Sequence, residues 1–297
     1  MPLRAAGEAP SRAEIESHNL THTPPAMWCE ICMNSRSKSD WHTSTTKDTP
    51  VPCVQMDFHY LSGTLEETDL QAKACLLTIV DMETGYIGAV HVKAKSPDNF
   101  MIRFAANFLD KVNADKVRLR YDNEPNMKLL AVKIEQLRHP RQTIQEPIVR
   151  AEHQSVGGAE RAHQTIQAGA RALRLDVKSR IGIDPVPGNV LFSWMVRHAS
   201  WSYNRFQPRG ARGQTAYELR NDTVYKGTLA AFGEAVLVRV PIDPPGMRKK
   251  LDVQWVKGIW VGKMDESDGH IVLILAGIST GRSVRRLPPE QRVQREK

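Results

Sequence analysis

Three acidic residues, Asp57, Asp122 and Glu160, stand where a carboxylate is either costly or well placed for chemistry. Asp57 lies inside the apolar run Val54-Gln55-Met56-Asp57-Phe58-His59-Tyr60, and Asp122 directly follows Val117-Arg118-Leu119-Arg120-Tyr121. Glu160 opens a helical stretch after Gly157-Gly158-Ala159. Strands disfavour Asp, and a buried carboxylate needs a charge partner or a metal. Carboxylates on rigid elements can hold two divalent cations about 3.5–4 Å apart, the arrangement used for phosphodiester displacement. Hard, oxygen-preferring Mg²⁺, or Mn²⁺ in its place, suits such ligands, with two ions per active site expected. Glu152, Glu124 and Asp81 are competing carboxylates, lying respectively before the helix, beside Asp122 and in a turn. His59 falls on the same strand face as Asp57 and can approach a metal or a phosphate there, or serve as an ordinary polar strand residue.

A second constellation is His18, His22, Cys29 and Cys32. Two imidazoles followed by a C-x-x-C make the nitrogen and sulfur donor set of a structural zinc site, and four protein ligands mark a closed site. The spacing predicts both histidines on one helical face at i and i+4, with Pro24-Pro25 ending that helix; His42 is a substitute ligand. Cys53 and Cys75 fall in apolar segments and are expected to be reduced core residues.

These groups need elements to position them. Residues 1–49 form a small module and a linker rich in Ser, Thr and Lys, and from Val51 the pattern turns to alternation. Strands are predicted over residues 54–60, 75–80 and 86–92, the last two joined by the turn Asp81-Met82-Glu83-Thr84-Gly85. Phe100, Phe104, Phe108 and Val112 then recur at helical spacing, with Asp98 near the start. A strand at 117–121, a helix at 127–137, a strand at 143–149 and a long helix from about Gly158 complete the order βββαβαβα, which implies a mixed five-stranded sheet with flanking helices. That order resembles the ribonuclease H-like fold in topology. A further helix is predicted over 188–206, closed by the basic loop Pro208-Arg209-Gly210-Ala211-Arg212-Gly213. Strands at 235–240, 253–262 and 270–275 suggest a small β-barrel, and the remaining basic tail reads as a disordered segment.

The residues around the acids carry a family resemblance. Asp57, Asp122-Asn123-Glu124-Pro125 and Gln154-Ser155-Val156-Gly157-Gly158-Ala159-Glu160-Arg161 resemble the Asp, Asp, Glu triad of retroviral and retrotransposon integrases, with 37 residues between Asp122 and Glu160. Trp201-Ser202-Tyr203-Asn204-Arg205 with Thr215-Ala216-Tyr217-Glu218-Leu219 looks like the end of a copia-type catalytic core. Ala231-Phe232-Gly233, Lys250-Leu251-Asp252 and Lys257-Gly258-Ile259-Trp260-Val261-Gly262 look like the β-domain that follows it. The resemblance implies a zinc module over 1–49, a catalytic core over 50–225, and an SH3-like β-barrel with a basic tail over 226–297. It also implies that Asp57 and Asp122 share one metal and Asp57 and Glu160 the other, and that the reaction is trimming of cDNA 3′ ends and their transfer into target DNA. The His-His-Cys-Cys group resembles the integrase zinc module, with a shorter gap before Cys29 than the family shows. Gln164 and Gln167 stand where integrases carry a basic residue on the helix after the glutamate.

Charge agrees with a polyanionic partner: 41 Lys+Arg against 33 Asp+Glu give +8 and a pI near 9.4. Arg171 and Arg174 along the Glu160 helix, and Arg209 and Arg212 in the basic loop, are the expected contacts to nucleic-acid phosphates, with a solvated helix face and a turn as the other interpretation. The expected partners are double-stranded DNA, as element ends and as target, and further copies of the chain, because two ends meet at one target. No apolar run approaches the ~18 residues that span a bilayer, so membrane partners are not expected and the chain is expected to be soluble, intracellular and, from its substrate, nuclear. Two alternatives stay open. One is a transposase or nuclease of ribonuclease H fold, and the other is a silent or domesticated nucleic-acid-binding protein derived from a retroelement.

Overall fold

The computed structural model describes residues 10–35, 51–62, 73–148, 157–239 and 253–292. The expected linker, His42, Glu152, the segment 154–156, Lys250-Leu251-Asp252 and the last five residues lie outside the described residues. Two compact units emerge. One is drawn from the described parts of 1–35, 170–202 and 226–297, the other from those of 36–169 and 203–225.

The second of these units holds the mixed sheet. β1 (Cys53–Ser62), β2 (Lys73–Asp81), β3 (Ile87–Val92), β4 (Lys116–Asp122) and β5 (Gln142–Ile148) line up in the order β3-β2-β1-β4-β5. β1 pairs antiparallel with β2, β2 antiparallel with β3, and the β1·β4 and β4·β5 pairs are parallel. The burial pattern explains the order. β2 is buried at every position after Lys73, as a strand with neighbours on both sides and cover on both faces must be. β4 alternates, with Val117, Leu119 and Tyr121 inward and Arg118, Arg120 and Asp122 on the other face.

α3 (Asn99–Val112) starts where Asp98 accepts a hydrogen bond from the Met101 amide at 2.8 Å. α4 (Pro125–Arg138) starts with proline in its first turn, where a missing N–H costs nothing. Met101, Ala105 and Leu109 of α3, with Met127, Leu130 and Ile134 of α4, form one core with Val54, Met56, Leu77, Leu119 and Tyr121. α5 (Gly157–Ile181) meets the opposite face, because the Gln55 side chain accepts from the Ala159 backbone N–H at 3.0 Å. α6 (Val190–Phe206) ends beside the sheet edge, where Asn204 accepts from Ile87 N–H at 2.8 Å and donates to Ile87 C=O at 2.7 Å. The short strands β6 (Pro208–Arg209) and β7 (Gln214–Thr215) and the helix α7 (Ala216–Asn221) follow.

The other unit contains α1 (Arg12–His18) and α2 (Glu30–Ser35) of the N-terminal module, and a five-stranded antiparallel sheet. Its strands β8 (Ala235–Val238), β9 (Val256–Lys263), β10 (His270–Ile274), β11 (Gly277–Gly281) and β12 (Val284–Arg286) run in the order β11-β10-β9-β8-β12 around buried Trp260. Three strands were expected here and five are present. The arginines expected in a disordered tail are partly folded: Arg286 pairs with buried Glu234 at 2.7 Å, Arg292 lies 3.7 Å from it, and Arg285 stacks over Trp255. A carboxylate buried at 2% exposure needs those cations, which is the physical reason the segment is held.

Candidate active site and metal centre

Asp57 and Asp122 are brought together by strand register. In the parallel β1·β4 pair, Gln55 faces Arg120 and Met56 faces Tyr121, so one residue further along the same register Asp57 meets Asp122. Parallel neighbours lie about 4.7–4.9 Å apart with side chains on a common face, so both carboxylates project to the side on which Gln55 holds the start of α5. Glu160 is in the first turn of that helix and is exposed. The positive end of the helix dipole favours negative charge there.

Electrostatics mark Asp57 within this group. Its side chain is 24% exposed. Burial pushes its pKa up to about 6, the Phe58 amide opposes that by donating to Oδ1 at 2.8 Å, and the nearby charges of Asp122 and Glu124 push it further while Lys95 pulls it down. Clustered carboxylates that repel in this way favour a divalent cation between them. Sequence reasoning missed Lys95. Its ammonium holds Glu124 at 2.8 Å and lies 5.6 Å from the Tyr60 ring centroid, so Glu124 is committed to that pair. Asp81 is committed to its turn, accepting from the Glu83 N–H at 3.1 Å and the Thr84 hydroxyl at 2.5 Å.

His163 was also missed. It lies on α5, with Nε2 3.9 Å from Asp57 Oδ2, and its ring stacks on His59 at 3.9 Å between centroids. Burial drives both imidazoles toward the neutral form, His163 to a pKa of about 4 and His59 to about 3. His59 therefore shares the Asp57 face, as its position in the strand predicts. The only signal for His163 was its place three residues after Glu160.

Among the described residues, the one set of three or more His, Cys, Asp or Glu side chains gathered closely enough to hold a metal is His18, His22, Cys29 and Cys32, with ligand atoms within 4.8 Å of one another. His18 Nε2 is 3.2 Å from Cys32 Sγ, and His22 Nδ1 is 3.6 Å from Cys29 Sγ and 3.8 Å from Cys32 Sγ. A tetrahedral zinc with Zn–S near 2.3 Å and Zn–N near 2.0–2.1 Å has donor-to-donor edges of roughly 3.3–3.8 Å, so the donor set fits the ion in chemistry and in spacing. The expected helical i, i+4 pair is corrected. α1 ends at His18, and His22 sits beyond it at φ 51°, in the left-handed region. That turn aims the His22 ring back at the two cysteines, and it accommodates the short gap before Cys29. A non-glycine residue there is strained and is held by its surroundings.

The expected phosphate contacts are dispersed. Arg171 donates to the Ser35 carbonyl, and Arg174 clasps Asp184, which holds that carboxyl down to a pKa of about 2. Arg209 donates to the Thr84 carbonyl at 3.0 Å, filling the space beside Gly85, whose φ of 68° and lack of a Cβ both matter there. Arg212 is exposed. No helix among the described residues is long and apolar enough to cross a membrane.

No protein-family model and no curated protein matches the chain. Among solved structures it is similar to the simian T-cell lymphotropic virus intasome in complex with PP2A regulatory subunit B56 gamma, at 12% identity and TM-score 0.39, over 82% of this chain and 84% of that one. It is also similar to the HTLV-2 integrase catalytic core domain in complex with magnesium, in its trimeric form, at 16% identity and TM-score 0.42, over 59% of this chain and all of that one.

Proposed function

We propose that the chain is an integrase-type polynucleotidyl transferase of the retrotransposon class, dependent on Mg²⁺ or Mn²⁺, that trims DNA 3′ ends and joins them to target DNA. One observation carries the proposal: Asp57 and Asp122 come next in register after the paired residues of the parallel strands β1 and β4, near enough for the Asp122 charge to act on Asp57, on the sheet face to which Gln55 ties the helix turn bearing Glu160. Asp57 and Asp122 would hold one divalent ion, and Asp57 and Glu160 the second. Bound there, the ions would activate water or a DNA 3′-hydroxyl and stabilise the leaving oxygen of an in-line displacement. The stacked imidazoles of His59 and His163 stand beside Asp57. Lys95 engages Glu124 in an ion pair. His18, His22, Cys29 and Cys32 would hold a structural zinc.

Double-stranded DNA as substrate and target, a multimer that presents two ends together, and a nuclear site of action belong to the same proposal. The net charge of +8 and exposed Arg212 support a phosphate-rich partner. The test is metal-dependent cleavage and strand transfer on labelled duplex oligonucleotides, with Asp122→Asn as the comparison. Activity that falls to background in the variant supports the carboxylate site, and joined products select integrase over simple nuclease. One observation favours a second possibility, a nucleic-acid-binding domain that keeps the fold without the chemistry: among the described residues, Asp57, Asp122 and Glu160 are not gathered closely enough to form a metal-holding group, and Glu160 is exposed. Intact DNA binding with no cleavage under either metal would select it.

A further inference from the structure

The nitrogen of His22 that does not face the cysteines is buried and makes no hydrogen bond among the described residues, yet it lies 3.7 Å from a carboxylate oxygen of Asp176. Both side chains are almost fully enclosed, at 1% and 4% exposure. Asp176 comes from the second half of α5, far along the chain from the four sulfur and nitrogen donors. Its other contacts are to Arg180, which reaches it from the next helical turn at 2.6 Å and also donates to the Phe232 carbonyl.

We propose that Asp176 is the positioning carboxylate of the His18, His22, Cys29, Cys32 metal centre, accepting a hydrogen bond from the His22 Nε2–H and so fixing the tautomer that leaves Nδ1 free as a ligand. The inference rests on reading those four residues as a metal site. Three observations carry it. His22 Nδ1 faces both cysteine sulfurs, so Nε2 must bear the proton whenever Nδ1 binds a metal. Among the described residues, the carboxylate beside that nitrogen is Asp176, buried with it, where an unmatched imidazole N–H would be costly. The left-handed backbone at His22 turns the ring into this geometry against its own preference, so something must hold the far side of the ring. A metal-bound imidazole commonly donates its second nitrogen to a carboxylate, which orients the ring and strengthens its donation. Arg180 in turn fixes the carboxylate, so the metal centre is built from the N-terminal module and from α5 together.

The experiment uses the full chain loaded with zinc and measures metal transfer to a chromogenic chelator, with metal content determined in parallel. Asp176→Asn should weaken zinc binding by roughly 10–100-fold, Asp176→Glu should restore part of the loss, and Arg180→Leu, which keeps the carboxylate, should stay within about threefold of wild type. With Co²⁺ in place of zinc, Asp176→Asn should shift the d–d absorption, a signature that a purely structural ion pair does not touch. Equal zinc affinity in Asp176→Asn and wild type would overturn the proposal, as would equal losses in Asp176→Asn and Arg180→Leu with an unmoved cobalt spectrum, which would reduce Asp176 to a partner of Arg180. A wild-type chain that holds no stoichiometric zinc would instead overturn the metal site itself.

Discussion

Replacing Asp57 by Asn should stabilise the protein, and the gain should grow with pH. The carboxyl is about three-quarters buried, and its pKa stands near 6 against an ordinary 3.8. A group whose folded pKa is raised contributes stability that is fully present below the unfolded value and is lost as pH rises through the folded one. A shift of about two units corresponds to roughly 3 kcal/mol lost once the pH is well above 6, and to only about 0.5 kcal/mol near pH 4. Asparagine keeps the shape and an acceptor for the Phe58 amide but carries no charge, so the variant escapes that loss. Urea unfolding in Mg²⁺-free buffer with zinc supplied should show the variant gaining about 2 kcal/mol more over wild type at about pH 8 than at about pH 4. Adding Mg²⁺ should then narrow the difference, because the wild-type cluster alone gains ligand free energy, about 1.4 kcal/mol at tenfold excess over Kd. Parallel pH profiles for the two proteins, or a variant less stable at high pH, would refute the claim that Asp57 is held in a desolvated, like-charged cluster.

Asn204→Ala should cost about 1–3 kcal/mol in urea unfolding, since it strips partners from the buried Ile87 N–H and C=O together. Ile134→Ala should cost about 2–5 kcal/mol, as a fully buried side chain in the α3–α4 core, with the denaturant slope unchanged. His270 is neutral in the fold, its pKa lowered to about 4 by burial and the Lys263 charge, and its Nδ1 accepts from the Trp260 indole at 3.0 Å. A depressed histidine pKa gives stability present above the unfolded value of 6.5 and lost as pH falls toward 4, so wild type should lose about 1.4 kcal/mol per pH unit in that window relative to His270→Gln. A difference between those two proteins that does not vary with pH would count against it.

Local patterns carried most of the core. Alternation exposed β1 and β4, the Asp81–Gly85 composition marked the hairpin, and Asp98 marked a helix start, because each of these signals is written within a few residues. The two aspartates were legible because a charge in an apolar strand is locally anomalous. Lys95, His163 and Asp176 were not, since their roles depend on partners 29, 106 and 154 residues away in Glu124, Asp57 and His22. The partners of the arginines were hidden for a related reason. A sequence shows a cation but not the carbonyl or carboxylate that already occupies it, as with Arg174 on Asp184 and Arg286 on Glu234. The His18–His22 spacing suggested a helix because i and i+4 is a helical interval, whereas a left-handed turn delivers the ring just as well.

β3 ends its sheet, and an end strand offers a row of backbone donors and acceptors to any extended chain that drifts past. The Asn204 carboxamide presents the same acceptor and donor that an incoming strand would, and it already sits on Ile87. It works as a plug, mimicking one residue of a neighbouring chain so that no real one can zip on from that point. A strand that paired with β3 at Ile87 would first have to displace that carboxamide.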